Sequence, residues 1–460
     1  MNSVSSISRF NEWLDQYLNF ERTPKKNIFW LDTMQFLCRR LGHPENCTSS
    51  FHVAGSKGKG SVSVMIANIL KAAGFNTGLY SSPHILDFRE RISSPDGFFD
   101  DEVYSTAASE LMHSVESIVT SSLPGERPLT WFELVTAFAM LCYKHQKCDW
   151  AVYEVGLGGR LDATNVISPK CCCITPIELE HTEYLGDTIE KIASEKGGII
   201  KEGIPVVVSR QNYESCLQVF KEIAEQKHAP IIFSEEAGKV SSISYVNEQN
   251  SGSLGMKVVL ESGLFSRPIS ATLKLVGDFQ AENALTAAIA VKTVFPDLSE
   301  EVMEKGLSES KLEGRFEIMH DVPSYPNIPC LIMDGAHTVC SVDYTLKTFN
   351  SVFSADCEAH LLFGCAADKD SEHIASLVPF SFTHITLTKP GETKASNLPA
   401  VEDAFSKAGL SFISCADYVK AISLAFKNAN EQRLPLLVMG SFYLVAEVKK
   451  FLVSKECDLI

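Results

Sequence analysis

No two cysteines in this 460-residue chain have the C-x-x-C spacing, although the sequence holds 14 of them. Metal clusters and thioredoxin-type redox sites need such spacing, so neither is supported. There is no basic tail and no Lys/Arg-rich block, and the net charge is −16. A phosphate backbone demands basic stripes, so nucleic acid is not expected as a partner. Small anionic substrates stay compatible, because a local site can be basic on an acidic protein. No apolar run approaches membrane-spanning length, which argues against a membrane role. The first residues carry Glu12, Trp13 and Asp15 and no apolar signal core, so no secretory peptide is expected. Solenoid-period repeats and low-complexity segments are also missing.

What is present suits a soluble enzyme. Hydrophobic residues make up 45% of the chain, enough to build full cores, and the length allows two domains or more. The adjacent Cys171, Cys172 and Cys173 in CCCITPI read as small apolar residues on a buried strand. Unpaired thiols in this number suit a reducing cytoplasm.

Short β-branched runs alternate with helical patterns along most of the chain. FHVAG, TGLYSS, DWAVYEV, CCCITPI and PVVVS read as buried strands. Val62, Ile66, Ile69 and Ala73 recur at helical spacing, ended by Gly74. Such alternation implies right-handed crossovers and a largely parallel sheet. Residues 238–276 break the rhythm, with Ser and Gly among alternating apolar positions, and predict antiparallel hairpins at one edge. A second alternating series starts near Gly314, with strands in RFEIMH, CLIMDGA, AHLLFG, HITLT, LSFIS and PLLVMG. The polar stretch 297–311 reads as the linker. The expected division is a larger α/β domain over 1–300 and a smaller one over 301–460.

The segment FHVAGSKGKGS, residues 51–61, has a strand, a glycine-rich turn and a helix start, which is the context a phosphate loop needs. Backbone N–H groups and the helix N-terminus would wrap phosphate oxygens, and Lys59 would reach the outer ones. Gly60 sits where Ser or Thr normally follows the lysine, and Ser61 comes one place later. In an open parallel sheet ligands gather at the carboxyl ends of strands. Ser82, Glu154 and His181 all fall at such ends. Hydroxyl, carboxylate and imidazole suit a Mg2+ that keeps some waters and bridges phosphates. Singly, each has a plain reading: a helix-capping Ser, a Glu paired with Arg160, a satisfied loop His. Their convergence around a phosphate loop favours the ligand reading.

HVAGSKGKGS, SSPHILDFRERI, LTWFELVTAFAM, YEVGLGGRLDATN, EHTEYLGDTIEKIASEKGGIIKEGIP, GDFQAENALTAA, LEGRFE and MDGAH follow one another along the chain. In content and order they resemble the folylpolyglutamate synthases and bifunctional dihydrofolate synthases of the muramyl-ligase superfamily. The likeness runs from about residue 41 to about residue 445. It implies a P-loop-type, mostly parallel sheet domain followed by a smaller Rossmann-like α/β domain. It also implies ATP-dependent amide formation. A pteridine carboxylate attacks the γ-phosphate to give an acyl phosphate, the amino group of L-glutamate attacks that carbonyl, and phosphate leaves. Such a site must neutralise several negative charges and keep water from a mixed anhydride.

By matched position, the resemblance implies that Ser56, Lys57, Gly58, Lys59, Gly60 and Ser61 line the ATP phosphates. Lys57 stands where the family commonly has asparagine. Ser82, Glu154 and His181 would hold Mg2+. Lys196 aligns with a lysine that the family carbamylates, giving an anion able to ligate a second Mg2+. Asn283, Arg315 and Asp334 match residues near the nucleotide, with Arg315 at the domain junction as either a coupling group or an interdomain ion pair. Asp334 would bond the ribose or order the linker, and His337 would serve the glutamate or phosphate side. Thr130, Trp131, Phe132 and Glu133, with Leu161, Asp162 and Ala163, match segments that border dihydropteroate. Aromatic faces and a carboxylate suit a pterin, while a buried helix would equally want Trp131 and Phe132 as core. The implied substrates are dihydropteroate or reduced folate with L-glutamate, and the implied state is a monomer. The C-terminal GSFYLVAEV resembles the bifunctional form, whereas SSPHILDFRERI and TIEKIASEKGGI lean toward the monofunctional eukaryotic type. The alternatives are a monofunctional folylpolyglutamate synthase, another amino-acid ligase of the superfamily, or a nucleotide-binding regulatory protein with a spent site.

Overall fold

A computed structural model of the chain describes residues 6–19, 30–248, 253–354 and 356–457. The first sheet has seven strands in the order β3-β2-β4-β1-β5-β6-β7. They are β1 (Ser49–Ala54), β2 (Thr77–Tyr80), β3 (Ile92–Ser93), β4 (Trp150–Glu154), β5 (Cys171–Ile174), β6 (Val206–Val208) and β7 (Ile231–Phe233). All pair in parallel except β3, which runs antiparallel at the edge. β1 lies in the middle, flanked by β4 and β5, and the chain proceeds from it to opposite sides of the sheet. That is a topological switch point, where the carboxyl ends of neighbouring strands open a crevice. The three cysteines of β5 are fully buried, because a strand covered on both faces wants small apolar side chains throughout.

Residues 238–276 do form antiparallel strands, as their alternation predicts. They are β8 (Gly238–Glu248), β9 (Ser253–Ser262) and β10 (Ile269–Leu273). They make a three-stranded sheet of their own rather than an edge of the first one. Met256, Val258 and Leu260 alternate inward and join the core shared with the helix Asp278–Val294. The hairpin needs this support, since two strands alone are marginal in water.

The second sheet has six strands in the order β11-β12-β16-β13-β14-β15. They are β11 (Glu317–Met319), β12 (Leu331–Met333), β13 (His360–Phe363), β14 (His384–Leu387), β15 (Ile413–Ser414) and β16 (Leu436–Met439), parallel apart from β11. Each of the six segments read as strands from sequence contains one of them.

The stretch 297–311 is not a linker. It contains the helix Glu300–Glu309, which packs on the helix Lys59–Ala72 that follows the phosphate loop. Its buried face is Met303, Gly306 and Leu307, with Glu300 paired to Lys292 at 3.0 Å. So narrow an apolar stripe among Glu and Lys reads as polar chain. The passage to the second sheet therefore begins after this helix. Among the described residues no helix is long and apolar enough to cross a membrane.

Gly306 lies so close to the neighbouring helix that a Cβ would stand 2.4 Å from the Ile69 Cα. Gly306→Ala is expected to destabilise the protein by about 1–3 kcal/mol through overpacking, despite the better helix propensity of alanine. Urea unfolding followed by circular dichroism checks this; unchanged stability would show that the two helices are not seated so closely.

Candidate active site

β1 ends at Ala54, and residues 55–58 turn into the helix Lys59–Ala72. Gly58 stands at φ 85°, ψ −5°, a left-handed conformation open to glycine without a Cβ penalty. A Cβ there would meet Asn283 Oδ1 at 2.6 Å, so the loop touches the helix Asp278–Val294 at this point. Asn283 is held by donating from Nδ2 to Gln280 Oε1 at 2.9 Å. The Lys59 ammonium folds over its own loop and donates to the carbonyls of Gly55 (3.0 Å) and Ser56 (3.4 Å). Ser56 donates its hydroxyl to the Glu178 carbonyl at 3.3 Å, and Lys57 Nζ lies 3.9 Å from Glu178 Oε2. Ser61 is buried in the first helical turn. Gly60 leaves room for Glu154, whose Oε2 would be 3.5 Å from a Cβ at that position.

Glu154, the last residue of β4, is buried. Burial raises its carboxyl pKa, opposed by Lys59, the Ser82 N–H, Arg315 and Arg91. The Ser82 N–H donates to its Oε2 at 3.2 Å, which brings Ser82 beside the carboxylate. Arg160, the plain partner considered for Glu154, instead pairs with Glu195 at 2.8 Å. Beyond β5, His181 takes a left-handed backbone (φ 48°, ψ 38°) ahead of the short helix Thr182–Leu185. Its imidazole pKa is lowered by partial desolvation and by the charges of Lys196, Lys59 and Lys369, against the pull of Glu180.

Lys196 is 2% exposed. Its ammonium donates to the Gly55 carbonyl at 2.8 Å and to Glu180 Oε1 at 2.9 Å. Burial, against the opposing pull of Glu180 and with a smaller push from Lys59, brings its pKa down to about 8. In Glu180 the effect of burial is outweighed by Lys196 and then Lys59, and the carboxyl falls to about 2. The glycine-rich loop after β1, the β5 loop and the helix Ile189–Gly197 thus meet at one ion pair.

The second sheet contributes from its own strand ends. Asp334 follows β12 and accepts from the N–H groups of Phe316 (2.8 Å) and Ala336 (2.7 Å). It therefore orders the connecting chain, one of the two roles considered for it. Arg315 is packed 4.4 Å over the ring of Phe442, within electrostatic reach of both Asp334 and Glu154. Lys449 ties this joint from the C-terminal helix, pairing with Glu313 (2.6 Å) and Glu317 (2.8 Å). His337 donates from Nδ1 to the Gly335 carbonyl (2.7 Å), and burial pushes its pKa down to about 4, leaving it neutral.

On the acceptor side the structure separates the expected residues. Thr130 caps the helix Trp131–Gln146, with Glu133 completing a capping box. Glu133 accepts from the Thr130 N–H and hydroxyl (both 2.8 Å) on one oxygen and from Thr33 on the other. Both oxygens are engaged by donors of this chain, so Glu133 secures the helix start. Trp131 is core, edge-on to Phe88 and under Arg91. Phe132 is half-buried, its ring against Gly156 of the loop after β4. Asp162 is buried and binds the N–H groups of Gly156 (3.1 Å), Leu157 (2.9 Å) and Thr164 (3.0 Å) within that loop. Leu161 is half-buried and Ala163 buried.

Four residues near the site were not singled out from sequence. Glu178 and Glu180 flank Leu179 just beyond β5, Lys369 faces His181 and His337, and Cys340 donates its thiol to Glu178 at 3.2 Å across the domain joint. A strand-end position was the available signal for the two glutamates; the other two depend on how the second sheet docks. Among the described residues no cluster of three or more His, Cys, Asp or Glu is arranged for a metal.

The Mur ligase middle domain model matches residues 53–291, and the Mur ligase glutamate ligase domain model matches 314–442. The chain is 31% identical to the dihydrofolate synthase/folylpolyglutamate synthase of Bacillus subtilis, over 95% of this chain and 97% of that protein. The chain belongs to this family of Mur ligases. It is 29% identical to the Haemophilus influenzae protein of the same name, covering 96% of this chain and 98% of that one. The folylpolyglutamate synthase of Mycobacterium tuberculosis, solved with ADP, superposes with a TM-score of 0.84 at 26% identity, covering 97% and 98% of the two chains. The family member is thus an ATP-dependent ligase acting on small molecules.

Lys449→Met leaves two carboxylates, one half-buried, without their cation. It is expected to cost about 1–2 kcal/mol, less than a fully buried pair because Glu313 is solvent-exposed. It should also speed proteolysis within residues 311–317. Thermal unfolding and timed digestion read both effects; parent behaviour in both would show that the joint does not depend on this pair.

Proposed function

We propose that this ligase joins L-glutamate to dihydropteroate and to the glutamate tail of reduced folates. The observation that carries the reading is the meeting of Lys59, Lys196, Glu154 and Arg315 around one glycine-rich loop at the rim between two sheets. In this reading the acceptor carboxylate takes the γ-phosphoryl group of ATP and ADP departs. The glutamate amine then attacks the activated carbonyl and inorganic phosphate leaves. The N–H groups of the loop from Ser56 to Ser61 bind phosphate oxygens, and Lys59 swings from its own carbonyls to the transferring group. Asn283 sets the loop and Arg315 carries positive charge across the joint. Neutral His337 serves the incoming amino acid, since its unprotonated nitrogen can accept a hydrogen bond from an ammonium group.

Ser82, Glu154 and His181 would hold Mg2+, which supplies neutralisation of phosphate charge when bound. The donor set fits a hard cation that retains waters, and a cation would keep the buried Glu154 ionised. Lys196, with its pKa near 8, has a neutral fraction able to add CO2 and release a proton, giving a carbamate for a second Mg2+. Phe132, Leu161 and Ala163 form the acceptor face, with Thr130, Trp131, Glu133 and Asp162 supporting it. We further propose a cytoplasmic monomer, consistent with the free cysteines among the described residues. The two units divide near residue 311 in this reading, because the helix Glu300–Glu309 packs with the first.

Purified protein with Mg-ATP, glutamate and either dihydropteroate or tetrahydrofolate is the test, with products read by mass. A gain of one glutamate on each acceptor is expected; gain on tetrahydrofolate alone would make the enzyme monofunctional, and no gain on either would refute the assignment. Lys59→Ala should lower kcat on the order of a hundredfold or more. Lys196→Ala should lose activity that small carboxylates partly restore, and full turnover in that variant would remove Lys196 from the chemistry.

A further inference from the structure

We infer that His52 is a positioning residue for the acceptor side, bracing from inside the first sheet the loop that carries Leu161, Asp162 and Ala163. The inference rests on the proposed acceptor role of that loop. His52 lies on β1, three residues before the phosphate loop begins. Strand alternation turns it away from the helix Lys59–Ala72, against which Phe51 and Val53 pack. It is fully buried, and its Nε2 lies 2.8 Å from the Thr164 hydroxyl. Thr164 in turn donates to Asp162 Oδ1 at 2.5 Å, and Asp162 Oδ2 accepts from the N–H groups of Gly156 and Leu157.

The proton positions along this chain follow from the donors. Two backbone N–H groups and a third from Thr164 point at the Asp162 carboxylate, so it acts as acceptor throughout. The Thr164 proton is therefore directed to Asp162, and its lone pair takes the Nε2–H of His52. That leaves Nδ1 as the unprotonated nitrogen, and Nδ1 has no hydrogen-bond partner among the described residues. A neutral imidazole fits, since burial and then Lys201 push its pKa well down. Lys201 itself donates to the Asn165 carbonyl at 2.7 Å, and Asn165 Nδ2 donates to the carbonyls of Arg160 (3.0 Å) and Gly198 (3.1 Å). The loop is thus held at 162, 164 and 165, and among the described residues the hold at 164 is the one of these three that reaches β1. A shift of β1 at the phosphate loop is transmitted to the acceptor face through this imidazole.

His52→Leu removes the donor while keeping the volume, His52→Gln keeps an N–H near the Nε2 position, and Thr164→Val breaks the next link. His52→Leu should raise the KM for dihydropteroate about tenfold, as expected for one buried hydrogen bond, with the KM for ATP within about twofold of the parent. His52→Gln should restore most of the difference. The double variant with Thr164→Val should be no worse than the worse single one, because both cut the same chain. Hydrogen exchange at the Gly156 and Leu157 amides, read without substrate, should quicken in His52→Leu and Thr164→Val. Unchanged exchange overturns the brace. Quicker exchange with an unchanged acceptor KM, or an equal rise in the ATP KM, overturns the acceptor-side role. A parent enzyme that ignores both pteridines would refute the proposed function alone, and the exchange measurement would still decide the brace. Parent-like melting of His52→Gln guards against reading simple misfolding as the effect.

Discussion

The ammonium of Lys196 against the carbonyl of Gly55 is the contact on which the arrangement around the glycine-rich loop depends. A lysine so deeply buried is tolerated only with compensation, and Glu180 supplies it. Because Glu180 stands just beyond β5, the same pair draws that strand's loop toward β1. The helix Ile189–Gly197, which carries Lys196, is fixed in turn through Arg160, whose N–H donates to the Glu195 carbonyl at 2.8 Å. One charge pair therefore sets the mutual position of three loops from three strand ends. Even with Glu180 beside it, burial and Lys59 together hold the amine down at about 8. Any anion entering near Lys59 competes with Glu180 for these cations, which makes the site responsive to phosphate charge.

The joint between the sheets is built on the same logic with different parts. Arg315 is half-buried, and desolvation alone would disfavour its charge; the carboxylates of Asp334 and Glu154 oppose that effect. The Phe442 ring covers its face, and Lys449 with Glu313 and Glu317 pins the chain on either side. Asp334 cannot relax, because two backbone N–H groups of the joint bind it. A guanidinium held so firmly by the second unit and facing a carboxylate of the first makes domain docking and the charge of the Glu154 region one variable. Glu178 adds a second link, with Lys57 on the loop side and the Cys340 thiol on the other.

The parts legible in sequence were those whose causes are local. Residues 51–61 declare a strand, a turn and a helix start within one short window, and the structure has all three. The strand-end positions of Ser82, Glu154 and His181 follow from the same windows. The helix Glu300–Glu309 was missed because its contact face includes a glycine, and a glycine's close approach leaves no apolar signature. The pairing of Lys196 with Glu180, and of Lys449 with Glu313 and Glu317, joins positions 16 to 136 residues apart, beyond any periodicity. Glu133 is different: T-W-F-E is a capping-box pattern readable from sequence, and the structure forms that box.

That contrast gives a physical criterion for sorting the carboxylates of the site. Glu133 and Asp162 are buried, like Glu154, and burial raises all three. Two of them have their oxygens filled by N–H and O–H donors of their own chain, so they stabilise a helix start and a loop. Glu154 receives one backbone N–H, from Ser82, and otherwise feels the charges of Lys59 and Arg315. A buried carboxylate with a single backbone donor and cations at a distance is costly unless something else binds it. Its retention at the end of a central strand is the feature that a purely structural account of this rim leaves without a cause, and a cation bridging phosphates would supply one.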